Sequence, residues 1–213
     1  KGDIYKKKYK GLYCVGCELF YKESELDANK CCLIHGKPVQ EVEEENYFFA
    51  LSKYQDYLEE YLSKEGVVVP EWRREEALTF IRQGLEDFSI SRSRVRTGDW
   101  GIPVPGDETQ VMYVWFDALT NYITALGYAK NTELFQNTWE QGGEIMHVIG
   151  KGVNRFHSVY WPAMLLSAGV RLPTKIFVHG YVTIDGQKIS KSLGNVVRPE
   201  DVVKKYGTDA IRY

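Results

Sequence analysis

The sequence predicts an α/β protein built on a parallel sheet, with a metal-binding knuckle near its start. Three observations carry this. Apolar, strand-like runs at residues 111–116 (VMYVWF), 144–149 (EIMHVI) and 175–182 (KIFVHGYV) alternate with helical patterns at 117–126 and 155–167. A strand–helix–strand–helix–strand order implies right-handed crossovers within one parallel sheet. The four cysteines, Cys14, Cys17, Cys31 and Cys32, all fall in the first 32 residues, a cluster that reads as a metal site rather than a spread disulfide framework.

In chain order, residues 1–46 read as short and turn-rich, and the acidic run 41–45 that closes them reads as a solvated face or loop. Residues 52–64 place Tyr54, Tyr57, Leu58, Tyr61 and Leu62 at three- and four-residue intervals before Gly66, which predicts a helix and its stop. Pro70 suits a first helical turn, and Trp72, Ala77, Leu78, Phe80, Ile81 and Leu85 supply the apolar positions of a second helix. The continuous apolar run 111–116 predicts a buried parallel strand, followed by a helix over 117–126 that Gly127 stops. Beyond residue 195, Pro199 at a first helical position, Gly207 as a stop and a new start near Asp209 predict two short helices.

The 213 residues are 44% hydrophobic and 26% charged, with a net charge of −2. That balance suits a globular protein that buries a core. It excludes a globally basic nucleic-acid binder, so any RNA contact rests on a local patch. No apolar run approaches the roughly 20 residues that span a bilayer, and no secretory signal opens the chain, so a cytoplasmic protein is expected.

Cys14-Val-Gly-Cys17 is followed, after fourteen residues, by Cys32-Leu-Ile-His35. Three thiolates and an imidazole make a tetrahedral set that suits zinc, and with four protein ligands the site is closed and structural. Cys31 competes with Cys32 for the fourth place. Parallel sheets bind ligands beyond the carboxyl ends of their strands, so residues 115–122, 149–157 and 179–192 are expected around one crevice. Within the last of these, a hairpin over 182–187 leads into Lys188-Ile-Ser-Lys191-Ser192. Two lysines with interspersed serines on a loop can embrace a polyphosphate and stabilise charge that builds during nucleotidyl transfer.

Lys188–Ser192 resembles the KMSKS loop of class I aminoacyl-tRNA synthetases, with Ile189 in place of Met. VHGYVTIDGQKISKSLGN (178–195), YVWFDALTNYITALGY (113–128), DFSISR (87–92) and the CVGCE…CLIHG knuckle resemble segments of the methionyl-tRNA synthetase family, in that family's order. The resemblance implies the second half of a Rossmann-like parallel-sheet catalytic domain. Residues 1–95 would be a connective insertion with the zinc knuckle, 96–183 the second Rossmann-like half, and 184–213 the signature loop and the start of a helical domain. It implies ligation of methionine to tRNA through methionyl-adenylate, with ATP and Mg2+ as substrate. Carried over residue by residue, Trp115, Tyr122, Val153, His157 and Trp161 match the methionine pocket. His179, Gly180, Lys188, Ser190, Lys191 and Arg92 match ATP-binding positions, with Lys188 and Lys191 catalytic.

Two departures matter. The family's Gly-Lys-Asp is here Gly150-Lys151-Gly152, which removes a carboxylate. No His-Ile-Gly-His string occurs, and no anticodon-binding bundle follows. A partial catalytic region, inactive alone and completed by an N-terminal half in cis or as a separate chain, is therefore expected. The competing readings are another class I synthetase (for leucine, valine, isoleucine or cysteine) and a non-catalytic zinc module that binds RNA or protein.

Overall fold

Two long antiparallel strands bracket the turn-rich segment that holds most of the cysteines, so the first fifty residues carry more strand than their sequence announces. The structure, a computed structural model, describes residues 1–16, 19–34, 36–98, 100–184, 186–189 and 196–212, and of Leu19, Gln187 and Lys188 the backbone only. Strand β1 (Ile4–Cys14) carries β2 (Leu19–Tyr21) on one side and β3 (Gln40–Phe49) on the other. Its period-two pattern explains the pairing. Tyr5, Tyr9 and Tyr13 share one face, and Tyr5 lies opposite Phe48 with ring centroids 6.0 Å apart. Lys6, Lys8 and Lys10 occupy the other face, while Lys7 lies over the Phe48 ring. Lys10 pairs with Glu41 at 2.6 Å and Lys6 with Glu45 at 3.5 Å. The acidic run is thus the solvated face of a strand, and the loop reading of it is corrected. Both pairs are exposed and screened by solvent, so they add little to stability.

A 3-10 turn (Leu51–Tyr54) leads into α1 (Gln55–Ser63), then β4 (Val68–Val69) and α2 (Glu71–Arg82). Both helices were legible from their spacing, and Pro70 stands at the N-cap of α2. Leu58, Tyr61 and Leu62 of α1 and Ala77, Leu78 and Ile81 of α2 are buried in one core. Next come β5 (Phe88–Ser89), which pairs with β3, then β6 (Ser91–Ser93), α3 (Arg94–Thr97), β7 (Pro103–Val104) and β8 (Asp107–Met112). Strands β6, β8 and β7 make an antiparallel sheet in that order.

The apolar run 111–116 is not a buried parallel strand. Its first two residues end the antiparallel β8, and helix α4 (Val114–Thr124) begins inside it. A continuous apolar run carries no period and cannot separate strand from helix. Trp115, Leu119, Tyr122 and Ile123 fall at helical spacing, and the core takes that face.

After α5 (Glu133–Phe135) and a π-helical turn (Gln136–Glu140) comes β9 (Met146–Gly150). A 3-10 turn (Lys151–Val153), a second π-helical turn (Phe156–Tyr160) and α6 (Trp161–Ala168) precede β10 (Lys175–His179). The parallel sheet has the order β4-β10-β9. Its third strand is β4, a two-residue segment too short to announce itself by pattern. One face is buried, with Ile149, Ile176 and Val178 in the same core cluster as residues of α1, α2 and α6. On the other, Met146, Val148 and Phe177 are exposed, Val148 by 64%.

A hairpin of β11 (Thr183–Ile184) and β12 (Gln187–Lys188) follows, then α7 (Pro199–Tyr206) and α8 (Thr208–Arg212), as the turn residues predicted. No helix among the described residues is long and apolar enough to cross a membrane.

Candidate active site

Helix α4 and the helical segment after β9 face each other with aromatic side chains. Trp115 and Tyr122 lie seven residues apart, two turns along one face of α4. Val153, His157 and Trp161 follow each other at four-residue intervals opposite. The structure brings these five residues together. The Trp115 ring stands edge-on to His157 at 6.3 Å, and Tyr122 lies 6.0 Å from Trp161. The π-helical turn bears on this site because an i→i+5 segment re-aims side chains relative to a regular helix, and such turns concentrate at functional sites.

Hydrogen bonds fix the protonation of the site. The Val153 carbonyl can only accept, so His157 donates to it from Nδ1, at 3.0 Å. His157 Nε2 is then the acceptor for the Tyr122 hydroxyl, at 2.9 Å. Burial pushes the His157 imidazole below its usual value, partly opposed by the Val153 carbonyl. Beside it, His147 on β9 accepts from Trp161 Nε1–H at 3.2 Å. Burial, reinforced by neighbouring His157, brings His147 down to about 4. Both histidines are therefore neutral at pH 7. The result is an aromatic cluster with one uncharged polar edge, a surface chemistry suited to contact with an apolar, polarisable side chain.

Sequence reasoning missed three members of this cluster. Phe156 stacks on Trp115 at 4.3 Å, and Trp139 and His147 stand behind Trp161. The only signal for His147 was its place on the inward side of the β9 alternation, buried between exposed Met146 and Val148.

The carboxyl ends of β9 and β10 lie next to one another, with His179 paired to Gly150. His179 and Gly180 are exposed there, and His179 Nδ1 donates to the Gly180 carbonyl at 2.7 Å. Lys151 Nζ sits 4.6 Å above the Tyr181 ring. A Cβ at Gly152 would meet the Tyr181 hydroxyl at 2.7 Å, the far end of an exposed side chain. Lys188 pairs by backbone with Thr183 on the hairpin. Ser190 and Lys191 lie outside the described residues.

Arg92 is held elsewhere, on β6. Its guanidinium donates to the Ser91 carbonyl at 2.8 Å and to Ser89 Oγ at 3.0 Å, and lies 4.3 Å from the Tyr113 ring. It lines a cavity of about 870 Å³ with Arg96, Trp100, Tyr113 and Asp117, beside the first turn of α4. Arg96 stacks on Tyr13 at 4.1 Å and pairs with Glu44 at 2.7 Å, tying the base of the knuckle to this sheet.

Of the expected zinc ligands, Cys14 ends β1 and is buried, and Cys32 is buried at a tight turn where Gly36 N–H donates to its carbonyl at 2.7 Å. Gly36 has φ +60°, a conformation that glycine adopts without strain. Cys17 and His35 lie outside the described residues, and no group of three or more ligating side chains occurs among the described ones. Burial, helped by Asp27, raises the thiol pKa of Cys31 and so favours its protonated form.

The curated relatives include Methionine–tRNA ligase of Thermotoga maritima, 50% identical over 216 residues, covering 100% of this chain and 33% of that protein. The chloroplastic/mitochondrial Methionine–tRNA ligase of Arabidopsis thaliana is 50% identical and covers 100% of this chain and 34% of that protein. Mycobacterium tuberculosis methionyl-tRNA synthetase in complex with methionyl-adenylate superposes with a TM-score of 0.87 at 45% identity, over 100% of this chain and 42% of that one. The chain thus spans about a third of the length of these curated relatives. Residues 21–213 match the family described as tRNA synthetases class I (M), and the chain belongs to that family.

Proposed function

We propose that this chain provides the amino-acid pocket and part of the nucleotide site of an enzyme that ligates methionine to tRNA. The enzyme joins methionine to AMP from ATP with Mg2+, releases pyrophosphate, and esterifies the 3′ end of tRNA. The observation that carries the reading is the aromatic cluster around the neutral Tyr122–His157 pair, which we read as the wall of a cage. A thioether gains from sulfur–aromatic contact, by roughly 0.3–1.5 kcal/mol per contact, and a cage without charge gives a charged side chain no partner. Trp115, Tyr122, Val153, His157 and Trp161 bind the methionine side chain in this reading. His179 and Gly180 receive the nucleotide at the sheet's carboxyl end, Ser190 belongs to the same ATP site, and Lys188 and Lys191 offset charge on the polyphosphate; Arg92, buried on β6 and bonded to Ser89 and Ser91, is left out of that site. Cys14, Cys17, Cys32 and His35 hold a structural zinc, and the compartment is the cytoplasm.

The exposed sheet face supports completion by a further segment. Parallel sheets are covered on both faces, whereas Met146, Val148 and Phe177 are bare. An N-terminal half, in cis or as a separate chain, covers them and brings the remaining nucleotide contacts. Methionine-dependent ATP–pyrophosphate exchange tests this. The chain joined to the amino-terminal segment of the Thermotoga maritima relative exchanges, and the chain alone does not. No exchange from the folded, joined protein overturns the function, and exchange by the chain alone overturns the need for completion.

A further inference from the structure

The wall of the pocket is itself held from behind. Trp161 is 1% exposed, and its indole N–H has its acceptor in His147 Nε2. His147 is 5% exposed, with its ring 4.4 Å from that of Tyr122 and 5.7 Å from that of His157. One side chain thus contacts three of the five residues that line the pocket. Trp139 closes the far side, edge-on to Trp161 at 6.3 Å and 6.2 Å from His147. Trp139 is pinned in turn. Its Nε1–H donates to the Arg171 carbonyl at 3.0 Å, and the Arg171 guanidinium donates back to the Trp139 carbonyl at 3.1 Å and to Gly143 at 2.7 Å.

A buried indole N–H cannot leave its acceptor without cost. Rotation of Trp161 away from His147 strands that donor in an apolar cluster, so the bond selects one orientation of the indole. His147 can serve only with its proton on Nδ1, because Nε2 must keep its lone pair for the indole. We propose that His147, backed by Trp139, is a positioning residue that sets the orientation of Trp161 and thereby the width of the amino-acid pocket. This rests on the methionine-pocket reading above. His147 acts through Trp161, Tyr122 and His157, so its loss raises the KM for methionine and leaves the nucleotide step alone.

The test is exchange kinetics on the assembled enzyme, with KM for methionine and for ATP and kcat measured separately. His147→Phe keeps a ring of similar volume and removes the acceptor. His147→Gln returns an acceptor near the position of Nε2. The His147→Phe variant is expected to raise the KM for methionine about tenfold, the order set by one stranded buried donor, with kcat and the KM for ATP within about twofold. The His147→Gln variant is expected to recover most of that loss, which general loosening of the fold would not allow. Trp139→Phe, which keeps the apolar contact and gives up the bond to Arg171, is expected to raise the same KM about threefold, and it keeps the proposal testable should the His147→Phe protein fail to fold. Unchanged methionine KM in both His147→Phe and Trp139→Phe, or a His147→Gln variant no better than His147→Phe, overturns the positioning role while the methionine reading stands. A wild-type enzyme that exchanges with another amino acid and not with methionine removes the pocket reading and this proposal together.

Discussion

Mild acid should loosen this chain through its aromatic pocket before its carboxylates matter. His147 titrates at 6.5 when free of the fold and at about 4 within it. The unfolded chain therefore takes up this proton first as pH falls. The stabilisation from holding His147 neutral is complete above pH 6.5 and is lost as pH falls from 6.5 toward 4. At 1.36 kcal/mol per unit, the span amounts to about 3 kcal/mol. His157 is shifted in the same direction by burial and adds to the loss. The carboxylates act later: Asp3, held down to about 2 chiefly by the Tyr54 and Ser167 hydroxyls, loses its contribution only below its ordinary 3.8. Urea unfolding followed by tryptophan fluorescence at pH 7.5, 6.5, 5.5 and 4.5 reads this directly. Stability is expected to fall by about 3 kcal/mol or more across the series, and His147→Gln is expected to remove most of the slope. A wild-type stability that is flat between pH 7.5 and 4.5, or an unchanged slope in the His147→Gln variant, refutes the reasoning.

Other outcomes follow from the same contacts. Leu58 is 0% exposed at the α1–α2 contact, so Leu58→Ala is expected to cost about 2–5 kcal/mol in denaturant titrations. Tyr122→Phe removes the donor to His157 Nε2 and should raise the methionine KM by about two- to tenfold, seen as a KM change at constant kcat. Zinc measured by atomic absorption should be near one per chain and fall in both Cys14→Ser and Cys32→Ser; purified wild-type protein without zinc would contradict the knuckle reading. Gly152→Ala places a Cβ 2.7 Å from the Tyr181 hydroxyl, at the far end of an exposed side chain, so stability is expected to change by no more than about 0.5 kcal/mol if the ring shifts, and a loss above about 2 kcal/mol would show that Tyr181 is fixed.

Much of the architecture was readable because it rests on period and punctuation. The helices of residues 55–63 and 71–82 announced themselves by three- and four-residue spacing, and Pro199 and Gly207 bracketed α7. The hairpin of β1 and β3 was missed because its alternation is written in Tyr, Lys and Glu rather than in aliphatics. The run at 111–116 misled because a stretch apolar at every position carries no period, and the helix face became clear only with Leu119 and Ile123. In the site, spacing placed Val153, His157 and Trp161 on one face. The partners behind them come from β9 and from a π-helical turn far along the chain, and no local pattern links Trp139 or His147 to Trp161.

The most direct test of the central claim is the identity of the adenylate that the completed site makes. The chain, joined to the amino-terminal segment of its Thermotoga maritima relative, would be offered ATP, Mg2+ and an equimolar mixture of the twenty amino acids, and the protein-bound aminoacyl-adenylate identified by mass spectrometry. Methionyl-adenylate as the single product is the predicted result. A different aminoacyl-adenylate, or none from folded protein, would contradict the account.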